Sequence, residues 1–389
     1  MSADVQKKLT SDAAKAEGNA DAPEVRPLHT GFTTGACAAA GAVAAWSYRR
    51  GGRLTSVELL FPDGHCRCLP VASVWKDEAQ AQARIIKDAG DDIDITDRAT
   101  LVVTLSVHST PDERDHVEAC GQATVAIRAG EGVGVATRLG LDVPSGKWAI
   151  NPGPRRMIVD NLLRSGLGAA PGSWLVEVAV EDGAALARKT LNPVLGIQGG
   201  LSILGTTGIV VPCSHAAYEA TIRVLLRGAA LAGAETAVLV TGGRSQRAAQ
   251  RRWPEIPEYA FVQIGDFIRS ALGYCAEFNY RSVNSACMPG KLAKYARGHE
   301  YTHAHVQAME MAGVAELLGA CGVTESVQAA CRGCQSMREF LETQEPEVRP
   351  RVIAALAGRA LVQLRAWAPP CRLELVVFTT EGECLGAYE

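Results

Sequence analysis

"TAVLVTGGRS", residues Thr236–Ser245, is an apolar, β-branched run that stops on two glycines, the signature of a buried strand ending in a glycine turn. The same order recurs downstream. "YAFVQIG" (Tyr259–Gly265) leads into the helical "DFIRSALGYCAEFN", and "YRSVNSAC" (Tyr280–Cys287) passes through Pro289-Gly290 into a further helix. Strand, glycine turn and helix in repetition predict a parallel, doubly wound sheet. Ligands of such sheets sit beyond the carboxyl ends of the strands, where backbone N–H groups and helix N-termini are exposed. "LSILG" (Leu201–Gly205) reads as the first strand of this unit and Ser214–Ala232 as the helix after it. Helices at about 300–317 and 348–367 cover the sheet, and "LELVVFTTEGECLG" closes the chain as a strand and turn.

The earlier half has a different rhythm. From Thr55 to about Val180 short β-rich runs alternate: "SVELLF" with "HCRCLPV", then "QARIIK", "TLVVTLSV", "VEACGQATVAIR" and "SWLVEVAV", with turn signals such as "PDG". They predict a mostly antiparallel sheet with a few helices, the first over Cys37–Arg49. The expected organisation is an α+β N-terminal domain over 28–190 and an α/β doubly wound C-terminal domain with C-terminal helices over 191–389. Residues 1–27, polar and without the apolar segment of a secretory signal, are expected to form a disordered lead.

With 389 residues, 47% of them hydrophobic, the chain has enough apolar material for a sizeable core. A formal net charge of -3 provides no global field for nucleic acid or anionic membrane, so a multiply charged ligand must be held by local clusters. No apolar stretch reaches membrane-spanning length. The 12 cysteines read as reduced thiols of a cytoplasmic protein. Cys331/Cys334 and Cys66/Cys68 lack a second pair at zinc-ribbon spacing, and no metal is expected.

Several segments carry candidate chemistry. Gly205-Thr206-Thr207-Gly208 and Gly242-Gly243 let backbone approach a nucleoside closely, the former with two hydroxyls, and Asp266, directly after a strand, is placed to accept ribose hydroxyls. Neither a phosphate-loop lysine motif nor G-x-G-x-x-G is present, which disfavours ATP and NAD. In "NPGPRRMI" (Asn151–Ile158) two prolines stiffen the backbone ahead of Arg155 and Arg156, a fixed fork for carboxylates or else a solvated pair. Lys291 and Lys294 share a helical face in "MPGKLAKYARGHEYTHAH" (Met288–His305). "LHTGFTTGACAAA" (Leu28–Ala40) offers Thr33 and Thr34 as a rigid rim whose N–H groups face an anion at the following helix start. His299 and His303 stand four apart with His305 beyond, but Gly298 breaks the helix that a metal pair would need. His303 is left as a candidate for proton handling. Cys37 at a helix start serves packing as well as it would a nucleophile.

Taken in order, T-G-F-T-T-G-A-C-A-A-A, G-E-G-V-G, N-P-G-P-R-R-M-I, K-T-L-N-P-V-L-G-I-Q-G-G-L-S-I-L-G-T-T-G-I-V and G-K-L with a downstream T-H resemble the cobalt-precorrin-5B C1-methyltransferases of anaerobic cobalamin biosynthesis. The resemblance runs from about His29 to the C-terminus. It implies S-adenosyl-L-methionine as co-substrate and a cobalt-precorrin as the small-molecule partner, methylated at C1 to give cobalt-precorrin-6A. The segments it implies as ligand-facing are Thr30–Cys37, Gly130–Gly134, Asn151–Arg156, Leu191–Gly208, and Lys291 with His303. Methyl transfer from a sulfonium needs alignment rather than a protein nucleophile, and positioning supplies roughly 7–11 kcal/mol in well-oriented cases. A corrinoid's acetate and propionate groups call for arginines and lysines around a wide cleft, for which Arg155, Arg156, Lys291 and Lys294 are the candidates. The chain departs from the family pattern at Ala286–Leu292, where a histidine ahead of Gly-Lys-Leu is missing. A corrinoid carrier that does not methylate is the alternative.

Overall fold

The structure, a computed structural model, describes residues 28–389 apart from 93, 109, 111, 213 and 304–308. The expected disordered lead and His305 lie outside the described residues.

A first sheet holds β1 (Ser73–Lys76), β2 (Gln80–Ile86), β3 (Thr100–Val107), β4 (His116–Cys120), β5 (Ala123–Ala129) and β6 (Gly172–Val180) in the order β1-β2-β3-β6-β5-β4. All its pairs are antiparallel except β5–β6. Leu101, Val103 and Leu105 alternate along β3 and are fully buried on one face, as the pleat of a one-sided sheet requires. That face is covered by α1 (Thr34–Arg49), on which α2 (Pro152–Arg164) packs in turn. The alanine run explains the geometry: α1 is buried continuously from Thr34 to Trp46, and small side chains let it lie close to the strands. A Cβ at Gly41 would stand 2.5 Å from Val103 Cγ2, so only glycine fits there. The helix begins at Thr34 rather than Cys37 because Thr33, extended, accepts the Ala36 N–H on its hydroxyl as an N-cap.

A second sheet contains β7 (Thr236–Val240), β8 (Phe261–Gln263), β9 (Ser282–Cys287), β10 (Arg372–Phe378) and β11 (Cys384–Tyr388) in the order β8-β7-β9-β10-β11. Its strands are parallel except β11. Ala237 and Leu239 of β7 join a core with α3 (His215–Leu231), α5 (Ile268–Glu277), α6 (Pro289–Ala296) and α7 (Val348–Trp367). Val238 and Val240, pointing the other way, join a second core with Ala248 and Ala249 of α4 (Gly243–Arg252). Helices therefore cover both faces, and the connections leaving β7 and β9 diverge, which puts the topological switch point between these two strands.

Two expectations are corrected. Leu201–Gly205 is not a strand of the parallel sheet. Leu201 N–H donates to Gly132 O and Ile203 N–H to Ala149 O, Ile197–Gln198 pairs with Val135–Ala136, and Ile209–Val210 pairs with Gly31–Phe32. A five-residue apolar run does not announce which sheet it joins; here Leu201 and Ile203 are buried in the core around α1. The helix expected from about 300 begins at Met311, because α6 ends at Ala296 and the chain turns at Gly298 (φ +79°).

Candidate active site

At the carboxyl edge of the parallel sheet, Thr302 organises three of the charged residues singled out from the sequence. Its hydroxyl donates to Asp266 Oδ1 (2.8 Å) and accepts from Lys291 Nζ (2.8 Å), its carbonyl accepts from Lys294 Nζ (2.7 Å), and its N–H donates to the Asp266 carbonyl (3.1 Å). Lys291 also forms an ion pair with Asp266 Oδ1. Thr302 is fully buried and Lys294 is 7% exposed. Burial pushes the Asp266 carboxyl up, but hydrogen bonds from Lys291 and Thr302 outweigh it and hold the group below the ordinary carboxylate value. Burial, seconded by Lys291, lowers Lys294. Two ammonium groups thus face one carboxylate, and the excess positive charge suits an incoming carboxylate.

The loop after β7 stands at the same edge. Gly242 is extended (φ 167°), a Cβ built on it meets nothing within 4 Å, and neither backbone nor packing requires glycine there; a close-approaching ligand would. Gly242 N–H donates to Ser245 Oγ, and the exposed Arg244 and Arg247 flank the loop. Beyond Asp266 lies a run of touching rings. Tyr218 stacks on Phe267 (5.3 Å between centroids), Phe267 and His215 both contact Tyr301 (4.9 and 5.0 Å), and the His303 ring lies parallel to Tyr301 at 6.0 Å. The Tyr301 hydroxyl and His215 Nε2 are hydrogen-bonded at 3.0 Å. Sequence reading missed His215, Tyr218, Phe267, Tyr301, Arg244 and Arg247. The signal available was aromatic residues gathered after strand ends in a chain only 5% aromatic.

The remaining expected residues lie with the first sheet. Thr33 N–H donates to Gly208 O and Gly35 N–H to Leu204 O, while Thr34 Oγ1 donates to Leu204 O and accepts Leu204 N–H. The turn before α1 commits the Thr33 and Gly35 N–H groups to the 204–208 loop and the Ala36 N–H to the Thr33 hydroxyl, so these three donors of the expected anion rim already have partners within the chain. Gly205–Gly208 curls over the start of α2, where Thr206 Cα lies 3.2 Å from a Cβ built on Gly153, and Thr207 Oγ1 bonds its own neighbour Ile209. Gly205 and Gly208 pack against Thr33 and against Phe61 and Met157 of the core around α1, whereas Gly242–Gly243 follows a strand of the parallel sheet. The arginine fork separates too, since neighbours on a helix point about 100° apart. Arg155 binds Glu118 at 2.8 Å and Arg156 faces solvent.

Between this region and α3 opens a cleft of about 180 Å³, lined by Leu141, Asp142, Asn151, Ser202, Leu204, Thr221 and Val224 among others. Helix α3 is the partition: its Ala220, Thr221 and Val224 line the cleft, and its His215 and Tyr218 belong to the aromatic run.

Residues 21–212 match the family model described as CbiD, and residues 301–389 the one described as CbiD, C-terminal domain. A protein from Geobacillus thermodenitrificans is 39% identical over 314 residues, covering 80% of this chain and 81% of its own. One from Polaromonas sp. is 39% identical over 360 residues, with 90% and 93% covered. The chain belongs to the CbiD family. Both relatives, and a third from Moorella thermoacetica at 41% identity covering 86% of this chain and 88% of its own, are named cobalt-precorrin-5B C(1)-methyltransferase. A crystal structure of a cobalamin biosynthesis protein (cbiD) from Archaeoglobus fulgidus is 26% identical, covers 69% of this chain and 80% of its own, and superposes with a TM-score of 0.38. The first CbiD match ends at residue 212, immediately before α3, and so takes in the 196–210 segment stitched to the first sheet. Among the described residues no helix is long and apolar enough to cross a membrane.

Proposed function

We propose that this CbiD-family enzyme transfers a methyl group from S-adenosyl-L-methionine to C1 of cobalt-precorrin-5B, giving cobalt-precorrin-6A. The observation that carries the reading is the convergence of Lys291, Lys294 and Asp266 on Thr302 beside the open Gly242 loop. Excess ammonium charge, the flanking Arg244 and Arg247, and partly exposed rings suit a flat macrocycle edged with carboxylates. Gly242, Gly243 and Asp266 then serve the corrinoid together with Lys291 and Lys294, while Gly205–Gly208 stays with the donor. The chain works as an α+β unit up to about residue 213 and a doubly wound α/β unit after it.

The chemistry requires little from the protein beyond position. The electron pair at C1 forms the new carbon–carbon bond as the methyl–sulfur bond breaks, and sulfur leaves as a neutral thioether. No protein nucleophile intervenes. Burial pushes the Cys37 thiol up to about 12, so this cysteine stays protonated in the core. What the residues supply is a fixed macrocycle and exclusion of water from the aligned pair.

Mass spectrometry of a cobalt-precorrin-5B incubation with methyl-labelled S-adenosyl-L-methionine tests the proposal. One labelled methyl at C1 is expected. A folded protein that binds the corrinoid and leaves its mass unchanged would be a carrier, and the proposal would fall.

A further inference from the structure

Asn151 stands at the N-cap of α2, a position where its side chain ordinarily accepts an N–H from the first turn. It makes no such bond. Pro152 and Pro154 have no N–H to offer, which leaves Gly153 as the one donor among the first three helical residues, and the Asn151 side chain does not take it. Only the backbone of Asn151 is engaged, through N–H to Ile203 O and through its carbonyl to Arg155 N–H. Its carboxamide, free of partners among the described residues, lines the 180 Å³ cleft. Elsewhere the walls are largely aliphatic, with Leu141, Val143, Leu204 and Val224 among them, and the exposed carboxylate of Asp142 stands at the rim.

We infer that this cleft seats the adenine ring of the methyl donor, an inference that rests on the donor being S-adenosyl-L-methionine. Size argues for one ring system rather than a whole cofactor. A cavity of about 150 Å³ takes a benzene molecule, and drug-sized ligands occupy about 300 Å³ or more. Aliphatic walls suit the two faces of a flat heterocycle. One free carboxamide is the group that reads adenine's edge, accepting from the exocyclic amine and donating to a ring nitrogen. Asp142 at the mouth is an acceptor for the ribose hydroxyls, the role acidic residues play for nucleotides elsewhere. The methionine end then leaves the cleft along α3, the helix whose His215 and Tyr218 belong to the aromatic run beyond Asp266. Asn151 is thus a specificity-determining residue for the donor, and with Pro152 and Pro154 after it fewer helix donors compete for its amide.

Calorimetric titration of the full chain with S-adenosyl-L-methionine, S-adenosylhomocysteine and adenosine tests this. Asn151→Leu is expected to weaken all three by the same factor, tenfold or more, with corrinoid binding unchanged. Ala220→Trp, an exposed position on the cleft wall that does not threaten folding, is expected to abolish adenosine binding. If both variants bind adenosine as the parent does, or if Ala220→Trp weakens only the corrinoid, the cleft is not the adenine site. A parent protein that binds corrinoid but none of the three nucleosides would instead overturn the assignment of the donor.

Discussion

Thr34 and Leu204, 170 positions apart, exchange two hydrogen bonds, hydroxyl to carbonyl at 3.2 Å and N–H to hydroxyl at 3.0 Å. One buried side chain therefore fixes the loop that forms an edge of the cleft. Thr34→Val keeps the shape and leaves the Leu204 N–H without its partner, while the Leu204 carbonyl keeps the Gly35 N–H. A loss of about 1–3 kcal/mol is expected, read as a lower urea midpoint with unchanged slope, whereas Thr34→Ser should stay near the parent. Equal stability of the Val and parent proteins would show that the clasp contributes nothing.

Thr302 makes a different kind of prediction, since it positions charges rather than a loop. Thr302→Val removes the hydroxyl shared by Asp266 and Lys291 and is expected to weaken corrinoid binding about tenfold, a loss of about 1.4 kcal/mol, with adenosine binding unaffected. Thr302→Ser should restore it. In Lys291→Met, burial of Asp266 acts with its strongest opponent gone, so the carboxyl rises from its present depressed value. Protonating Asp266 removes the acceptor that holds the Thr302 hydroxyl, and with it the placement of Lys294 on the Thr302 carbonyl, so the acid limb of corrinoid binding should move to higher pH. An absorbance titration of the corrinoid across the acid range reads both effects, and an unmoved limb would sever Asp266 from binding.

Thiol chemistry gives a third test. Cys66, Cys68 and Cys384 are exposed, while Cys37, Cys120, Cys275, Cys287 and Cys331 are buried. Burial pushes Cys37 and Cys287 up to about 12, so neither presents a thiolate near neutrality. Iodoacetamide should label the exposed three in the native protein and reach Cys37 only on unfolding, as peptide mass mapping would show. Cys37→Ala should retain methyl transfer.

The parallel sheet was legible because fully buried strands leave a mark that survives in one dimension, as "TAVLVTGG" and "YRSVNSAC" show. In the first sheet β2, β3 and β6 were legible from alternation and β4 with β5 as one run, whereas the short, exposed β1 was not read as a strand; α7 was legible from its length. Leu201–Gly205 was misplaced because an apolar run records burial but not partnership. At the site, Asp266, Lys291 and Lys294 were found separately, yet their meeting on Thr302 depends on the chain turning back after Gly298, a tertiary fact without a local signature. The aromatic run comes from the start of α3 and the loops at 267 and 301, which nothing in their spacing relates. Asn151 was singled out for its motif, but that its amide makes no cap bond and lines the cleft is a tertiary fact.

Lys87 is 1% exposed and reaches Asp94 Oδ2 at 2.7 Å, while Asp94 Oδ1 accepts from the N–H and hydroxyl of Thr96, both at 2.7 Å. Burial raises the Asp94 carboxyl, but the bonds from Lys87 and Thr96 prevail and its value is depressed below 3.8. A depressed folded value means the pair's stabilisation is present above 3.8 and is lost as the pH falls through the lower, folded value. Asp94→Asn leaves a buried ammonium without a counter-charge, for which a loss of about 3–5 kcal/mol is expected at neutral pH. Adding Lys87→Met should recover much of that loss, because a neutral buried pair carries no desolvation penalty. In acid the parent loses the same carboxylate charge, so the gap between parent and Asp94→Asn should close. Urea unfolding of the parent and both variants across this range checks the sign; a gap that stays constant into acid would mean that Asp94 acts through shape rather than charge.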